Sequence, residues 1–228
     1  MGMSVNTNVG AMLALQNLNK SNKMLETTQL HITTGLKVNG PKDDAATYAI
    51  AQRMRGDIAG MGAVKTALSN GEATVNVAIT AGKAVADMLT EMKAKTVQAN
   101  QAGLDTASKD ALQNDFTSLR DQLTTIVQTA EFNGKNLITS AATSLTVLST
   151  VDGSSISVAA QKLDTTTLGI NASNISSGAS AALVAIDAAI NTVTSSLASL
   201  GSSSKRIDVQ AEFTVQLVDI LKEGVGNL

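Results

Sequence analysis

The sequence predicts a mainly α-helical protein whose long antiparallel helices form a coiled-coil-like rod, with a small β-hairpin segment at one end. The 228 residues include a single proline, so little in the chain prevents long helices. Three Phe, one Tyr and no Trp leave Ala, Val, Leu, Ile and Met to fill the core, and these side chains suit narrow seams between helices. Apolar residues also recur at alternating intervals of three and four, which is the spacing of helices packed along such seams.

The composition excludes several classes of function. There is no Cys and only one His, which removes disulfides, thiolate metal sites and His-based catalytic triads. The net charge is −2 and no basic run accompanies aromatic residues, so nucleic-acid binding is not expected. No apolar stretch of about 18 residues predicts a membrane span, and no basic region precedes the apolar patch of residues 1–20, so a usual secretory signal is not predicted. No nucleotide-binding, nucleophile-elbow or calcium-loop motif occurs, so neither an enzyme nor a cofactor is predicted.

Residues 5–32 predict the first helix. Leu15, Leu18, Leu25 and Ile32 repeat at intervals of three, seven and seven, while several Asn residues occupy other positions. Asn is a mediocre helix former, so we expect this helix to be weakly ordered alone and firmer against partners.

Residues 33–43 predict a linker, because Gly35, Gly40 and Pro41 interrupt the helical pattern. Asp43 and Asp44 follow and admit three interpretations: a metal site, an acid–base pair or the start of a helix. Pro favours the first turn of a helix, Asp is a good N-cap, and a second acid in the first turn suits the helix dipole. We favour the helix start, because it accounts for both acids. A metal site would need a third and a fourth oxygen ligand, which the sequence does not indicate.

A second, very long helix is predicted from about residue 43 to residue 101. A broad apolar stripe runs along it from Ile50 to Met92. Five glycines within it each weaken a helix by about 1 kcal/mol relative to Ala; they are Gly56, Gly60, Gly62, Gly71 and Gly82. They admit two interpretations. The glycines allow close packing or some bending of the helix, or they result from sequence drift at tolerant sites.

Residues 105–131 carry the clearest short heptad pattern, whose positions are Leu112, Phe116, Leu119, Leu123, Ile126 and Ala130. The first four of these are the candidate packing residues. Asn133-Gly134 then predicts a turn.

Residues 139–178 differ in kind, being rich in Ser and Thr and nearly free of charge. The apolar runs 145–151 and 155–160 flank Asp152-Gly153, which predicts a β-hairpin. The Ser/Thr surface is expected to be simply solvated; the alternative is that it carries sugar, since Asn171 and Asn174 each begin an N-glycosylation pattern.

Residues 179–228 predict a final helix whose seam positions alternate by three and four and include Leu197, Leu200 and Ile207. Leu228 is itself a seam position, so we expect the chain to stop inside a longer element.

Four stretches resemble bacterial flagellins. HITTGLKVNGPKDDAATYAIAQRM (31–54) is similar to the family pattern R-[IL]-S-[ST]-G-L-[RK]-[IV]-N-x-[AP]-x-D-D-A-A-x-x-A-I. VNTNVGAMLALQNL (5–18), AEFNGKNLI (130–138) and SLASLGSSSKRIDVQAEFTVQL (196–217) resemble three further family elements in the same order.

The resemblance implies a layout for the chain. Residues 1–32 would form an inner-tube helix, 33–43 a connecting spoke, and 44–138 with 179–228 the helical rod, while 139–178 stand where larger flagellins insert outer domains. This predicts a small, minimal flagellin that lacks the family's C-terminal inner helix. His31 stands where the family usually has Arg, which changes the spoke contacts.

The resemblance also bears on immune recognition. Many flagellins carry an Arg in the pattern L-Q-R-x-R-E-L, which the innate flagellin receptor reads. The corresponding stretch MLTEMKAKTVQA (88–99) has Glu91 in that place, so weak receptor activation is implied.

The implied function is that of a structural subunit that leaves the cell by the flagellar type III export route and polymerises into the extracellular filament. Its implied partners are other flagellin subunits, hook–filament junction and filament cap proteins, and a flagellin export chaperone. Two alternatives remain: a hook–filament junction protein, which shares the same inner domains, and a helical signalling or adaptor module, supported only by the heptads.

Overall fold

The computed structural model describes residues 8–228 and confirms the mainly α-helical class, with long helices and only small antiparallel strand pairs. The helices are α1 (Val9–Thr34), α2 (Ala45–Ala99), α3 (Thr106–Thr129) and α4 (Ile175–Asn227). The strands are β1 (Glu131–Phe132), β2 (Lys135–Asn136), β3 (Leu145–Leu148) and β4 (Ser155–Val158). Residues 5–7 of the predicted first helix lie outside the described part of the chain.

Two compact units divide the chain: one extends to Gly60 and includes Leu217–Leu228, and the other is Met61–Gln216. In the larger unit, residues of α2, α3, α4 and the connections between them build one apolar core. The boundaries between the units fall within α2 and α4 and not at the predicted linker, because both helices run on without interruption there.

Helix α4 packs by a seven-residue repeat, as its seam predicted. Buried residues recur every seven positions at Ala179, Ile186, Val193, Leu200, Ile207 and Thr214, and a second buried series comprises Ala182, Ala189 and Ser196. The hydroxyl of Thr214 donates to the carbonyl of Gln210 at 2.8 Å, so this buried polar group is satisfied within the helix. Gly178 has non-helical backbone angles, which marks a kink beside the predicted start at residue 179.

The expectation that no segment is apolar enough to span a membrane is wrong on composition. α4 is long and apolar enough for this by length and composition alone. Ile186, Val193 and Leu200 of this helix are buried in the core of the larger unit, whereas Val184 is 70% exposed. Of the apolar window, 28% is buried, so contact with the core accounts for only part of its composition.

The predicted hairpin is confirmed, with shorter strands than the apolar runs suggested. β3 pairs antiparallel with β4 from Leu145 opposite Val158 to Leu148 opposite Ser155. Gly153 has φ 90°, which the tight turn requires and which Gly adopts without strain. A second hairpin, not predicted as strands, joins β1 to β2 through the predicted Asn133-Gly134 turn.

Residues 139–178 also contribute apolar side chains to the core, which the sequence did not predict. Leu163, Leu168 and Ile170 are buried in the core of the larger unit. The amides of Gln161 and Leu163 donate to carbonyls of residues 137 and 138 at 2.8 and 2.9 Å, which holds this stretch against the end of the second hairpin. The apolar residues of this segment are scattered among Ser and Thr, so their spacing has no period from which burial could be predicted.

Candidate assembly surfaces

Pro41 occupies a tight turn and not the first turn of α2. The amide of Asp43 donates to the carbonyl of Gly40 at 3.1 Å, which closes a four-residue turn with Pro41 at its second position. The fixed φ of proline suits that position. α2 begins only at Ala45, so the expectation that Pro41 opens the helix is wrong.

Asp44 lies at the start of α2 and binds its free amides. Its carboxylate accepts hydrogen bonds from the amides of Ala46 and Thr47 at 3.0 and 3.2 Å and from the Thr47 hydroxyl at 2.6 Å. Its carbonyl accepts the amide of Tyr48 at 3.0 Å, the first bond of the helix. This is the geometry of an N-cap residue. The bond from the Thr47 hydroxyl, followed by that from the Thr47 amide, lowers the pKa of Asp44 below its usual value of 3.8.

Asp43 plays a different part from its neighbour. Its carboxylate accepts hydrogen bonds from the amides of Asn39 and Gly40 at 3.1 and 3.2 Å, and so stabilises the turn that precedes the helix. The same oxygen lies 3.7 Å from Nε2 of His31 at the end of α1. The expectation that both acids belong to the first turn of α2 is therefore wrong for Asp43, whose backbone is already used in the turn.

His31 has two contacts at the end of α1. Its carbonyl accepts the amide of Gly35, the left-handed C-cap residue, at 2.8 Å. Its Nε2 atom is shielded from solvent and has no hydrogen-bond partner in the described part of the chain. The Asp43 carboxylate lies 3.7 Å from this atom, so the single histidine lies where α1 and the turn meet.

We expect Asp44→Ala to fray the first turn of α2, with Asp43→Ala as the matched control. Loss of the cap leaves the amides of Ala46 and Thr47 without acceptors, so hydrogen exchange at these two amides should accelerate. Asp43→Ala should instead accelerate exchange at Asn39 and Gly40. If both variants changed the same amides, the separate roles of the two acids would be refuted.

The same carboxylate makes a predictable contribution to acid sensitivity. Since the pKa of Asp44 is lowered on folding, its stabilising effect is complete above the unfolded value of 3.8 and is lost as the pH falls through the lower folded value. The thermal midpoint of the wild type should therefore fall more steeply below pH 3.8 than that of Asp44→Ala. Parallel curves for the two proteins would contradict this.

Helix α1 exposes nine large apolar side chains. None of its residues is buried. Its exposed large apolar side chains are Val9, Met12, Leu13, Leu15, Leu18, Met24, Leu25, Leu30 and Ile32. Single exposed apolar residues are ordinary, but a whole helix of them indicates a surface that another chain or segment covers.

The predicted packing residues lie in the larger unit. Phe116, Leu123, Leu200 and Ile207 are fully buried, and Leu112, Leu119 and Leu197 are partly buried against the same core; together they are the seven candidate packing residues.

Glu91 lies exposed on α2, one turn before Lys95. The hydrogen bond to Asp115 of α3 raises the pKa of Lys95, and the charge of Glu91 acts weakly in the same direction. The carboxylate of Glu91 thus adds negative charge to a surface that already carries the Lys95–Asp115 pair at 2.6 Å.

Several polar side chains that join elements escaped the sequence analysis. The Asn136 amide donates to the Val127 carbonyl at 2.8 Å, and its oxygen accepts from Ile138 and Thr139 at 2.8 and 3.1 Å. The oxygen of Gln113 accepts the amide of Ile175 at 2.6 Å, which connects α3 to the start of α4. The position of Asn136 three residues after Asn133 offered a weak turn signal, whereas nothing local marked Gln113.

An exposed apolar helix, a capped turn and a helical core bearing small hairpins define the class of protein as a helical one that leaves an apolar helix uncovered. Comparison with known proteins agrees. Residues 5–143 match the family described as the bacterial flagellin N-terminal helical region. Flagellin FljK of Caulobacter vibrioides is 42% identical over 228 residues, which cover 99% of this chain and 84% of that protein. A flagellin of Brucella melitensis is 31% identical over 240 residues, with coverage of 99% and 84%.

Solved structures support the same fold. Bacillus cereus flagellin superposes with a TM-score of 0.57 at 22% identity, covering 64% of this chain and 86% of that one. A putative flagellar hook-associated protein from Vibrio parahaemolyticus gives 0.67 at 14% identity, covering 83% and 100%. The chain belongs to the bacterial flagellin family.

Proposed function

We propose that this flagellin polymerises through α1 and through its larger unit into the bacterial flagellar filament that drives swimming. The observation that carries the proposal is α1, a helix of 26 residues with many exposed apolar side chains and no buried residue. Covering that surface in a polymer removes it from water, which is the main driving force of association. The flagellin family is structural, and we propose no catalytic activity for this chain.

The domain roles follow from the resemblance. We assign residues 1–32 to an inner tube, 33–43 to the spoke, 44–138 with 179–228 to the rod, and 139–178 to a short outer segment. The spoke assignment is supported by the hydrogen bonds that Asp43 and Asp44 make on either side of one joint. A small change at that joint would tilt α1 relative to the turn that follows it.

The proposed partners are further flagellin subunits, the junction and cap proteins at the two filament ends, and an export chaperone. The proposed location is the extracellular filament, reached by flagellar type III export. The likeness to a hook-associated protein favours a second candidate function, a junction protein between hook and filament. Identities of 31% and 42% to flagellins favour the filament subunit.

Expression in a bacterium whose own flagellin genes are deleted separates these functions. With the full-length protein, immunogold labelling should run along the whole filament and swimming should return. Label confined to the hook end would make the chain a junction protein, and protein retained inside the cell would favour the adaptor alternative.

Variants of α1 test the carrying observation. Leu15→Asp and Leu18→Asp should abolish filaments while leaving the secreted monomer folded, because both side chains are exposed. Asn17→Asp is the matched control, since it adds the same charge to the same helix at a polar position. Normal filaments from both Leu variants would refute a role of α1 in assembly.

We also propose that Glu91 weakens recognition by the innate flagellin receptor, as the resemblance to flagellins implies. The wild-type monomer should activate the innate flagellin receptor weakly, and Glu91→Arg should raise activation by at least about tenfold if the charge opposes binding. A reporter-cell assay measures this, with Asp87→Arg, an acid one turn earlier on α2, as the matched charge control. Full activation by the wild type at ordinary flagellin doses would contradict the prediction.

A further inference from the structure

A shallow apolar groove of about 470 Å³ lies between α2 and α3 in the larger unit; we call it the α2–α3 groove. Its apolar lining consists of Val77, Ala81, Ala84, Ile126 and Ala130. Three of these are alanines, and their small side chains leave the space between the helices unfilled. The depression is therefore a consequence of residue size at positions where longer side chains would have closed it.

Two of the three polar side chains at the margin of the groove, those of Thr80 and Thr129, already have a hydrogen-bond partner. The hydroxyl of Thr80 donates to the Asn76 carbonyl and that of Thr129 to the Thr125 carbonyl, both at 2.9 Å. With these donors satisfied inside their own helices, an apolar side chain can enter the groove without stranding them. The groove is thus suited to an apolar anchor.

Phe213 provides such an anchor on α4 of the same unit. It precedes the buried seam residue Thr214 by one position, and 54% of its surface is exposed, whereas Phe116 is fully buried. Val209, one turn earlier, is also 54% exposed, so the two side chains form one apolar ridge. Aromatic residues, Phe among them, are enriched in protein interfaces relative to the rest of the surface.

One basic residue near the anchor and one acidic residue beside the groove have opposite charges, among other charges of both signs on α4. Arg206 lies two helical turns before Phe213 and hence on the same side of α4. Glu131 directly follows Ala130 at the end of the groove and is exposed. Neither residue takes part in an ion pair within residues 8–228.

We propose that Phe213 of one copy inserts into the α2–α3 groove of the next copy, with Arg206 facing Glu131 of that copy. The proposal rests on the proposed function as a filament subunit and specifies one of its contacts. Anchor and groove are different patches of the same unit, so the contact is heterologous: each copy still offers a free groove or a free Phe213 after pairing. Such a contact does not close on a dimer and continues along a polymer.

Seeded elongation tests this contact with the full-length protein. Phe213→Ala removes the anchor, and Thr80→Phe fills the groove from an exposed position at its margin. Each should raise the concentration of unpolymerised protein in equilibrium with filaments by at least about tenfold. Val184→Ala, which also shortens an exposed apolar residue of α4, should leave it unchanged. The monomers of all three should keep the wild-type thermal midpoint, because the altered side chains are exposed.

A charge exchange tests which surfaces meet. Arg206→Glu and Glu131→Arg should each raise the residual monomer concentration, and the double variant should restore it toward the wild-type value because the pair is re-formed with reversed signs. A double variant no better than the worse single variant would overturn the pairing.

The outcomes separate this contact from the proposed function. If the wild type fails to elongate seeds and forms no filaments in the deletion host, the filament function itself is wrong. If the wild type elongates and Phe213→Ala and Thr80→Phe elongate equally well, the contact is wrong while the function stands. An effect of only one of these two variants, or an equal effect of Val184→Ala, would also overturn the contact.

Discussion

Phe116→Ala is expected to lower the free energy of unfolding by about 3–5 kcal/mol, the usual cost of truncating a fully buried Phe. Phe116 is 0% exposed and is the largest of the fully buried side chains in the core of the larger unit. Few aromatic residues are present to fill the space that would be vacated. Urea unfolding of the monomer, followed by circular dichroism, measures the change.

Phe213→Ala provides the matched control for this experiment, because it deletes the same atoms from a half-exposed position. It should change the stability of the monomer by less than about 1 kcal/mol. Phe116→Leu should lie between the two, since it retains most of the apolar volume. Equal losses at positions 116 and 213 would show that burial in the larger unit is not what gives Phe116 its importance.

Gly71→Ala is expected to destabilise the protein, although Ala is the better helix former. A Cβ at position 71 would lie 2.5 and 2.9 Å from the two methyl groups of Val147, a buried residue of β3. Val is β-branched and has little rotamer freedom with which to move away. Overpacking of this kind costs about 1–3 kcal/mol, which exceeds the gain of about 1 kcal/mol in helix propensity.

Gly62→Ala in the same helix is the matched control, because nothing lies within 4 Å of the Cβ it would add. It should stabilise the protein by up to about 1 kcal/mol. The double variant Gly71→Ala, Val147→Ala should recover part of the loss, since shortening Val147 makes room for the new methyl group. Thermal unfolding of the four proteins measures these effects; a stabilising Gly71→Ala would show that the hairpin shifts without cost.

The α2 glycines therefore differ in their surroundings, and the close-packing interpretation holds for two of them. Gly71 and Gly82 pack closely, and a Cβ added to Gly82 would lie 2.8 Å from a methyl group of Leu197, while Gly56 and Gly62 face open space. No local pattern distinguishes these glycines in the sequence. The difference depends on where β3 and α4 pass along α2, and those residues are far away in the chain.

The helices, the hairpin and the family could be predicted from the sequence because their signals are local or periodic. Seam residues at intervals of three and four predicted that Phe116, Leu123, Leu200 and Ile207 are buried. Asp-Gly between two apolar runs predicted the pairing of β3 with β4. In both cases the signal comes from residues a few positions apart in the chain. The order of residues is therefore sufficient to predict which side chains share a face and where the turn lies.

The sequence by itself thus determined the helical class, the seam positions and a joint rich in Gly, Pro and Asp after α1. The tertiary structure alone decided how that joint is divided: Asp44 caps α2, whereas Asp43 closes the preceding turn and approaches His31. It alone decided that Leu163 and Ile170 enter the core, and that Phe213 and the α2–α3 groove remain uncovered. The physical reason is that hydrogen-bond partners and burial depend on contacts between residues distant in the chain, whereas helix periodicity and turn chemistry depend on residues a few positions apart.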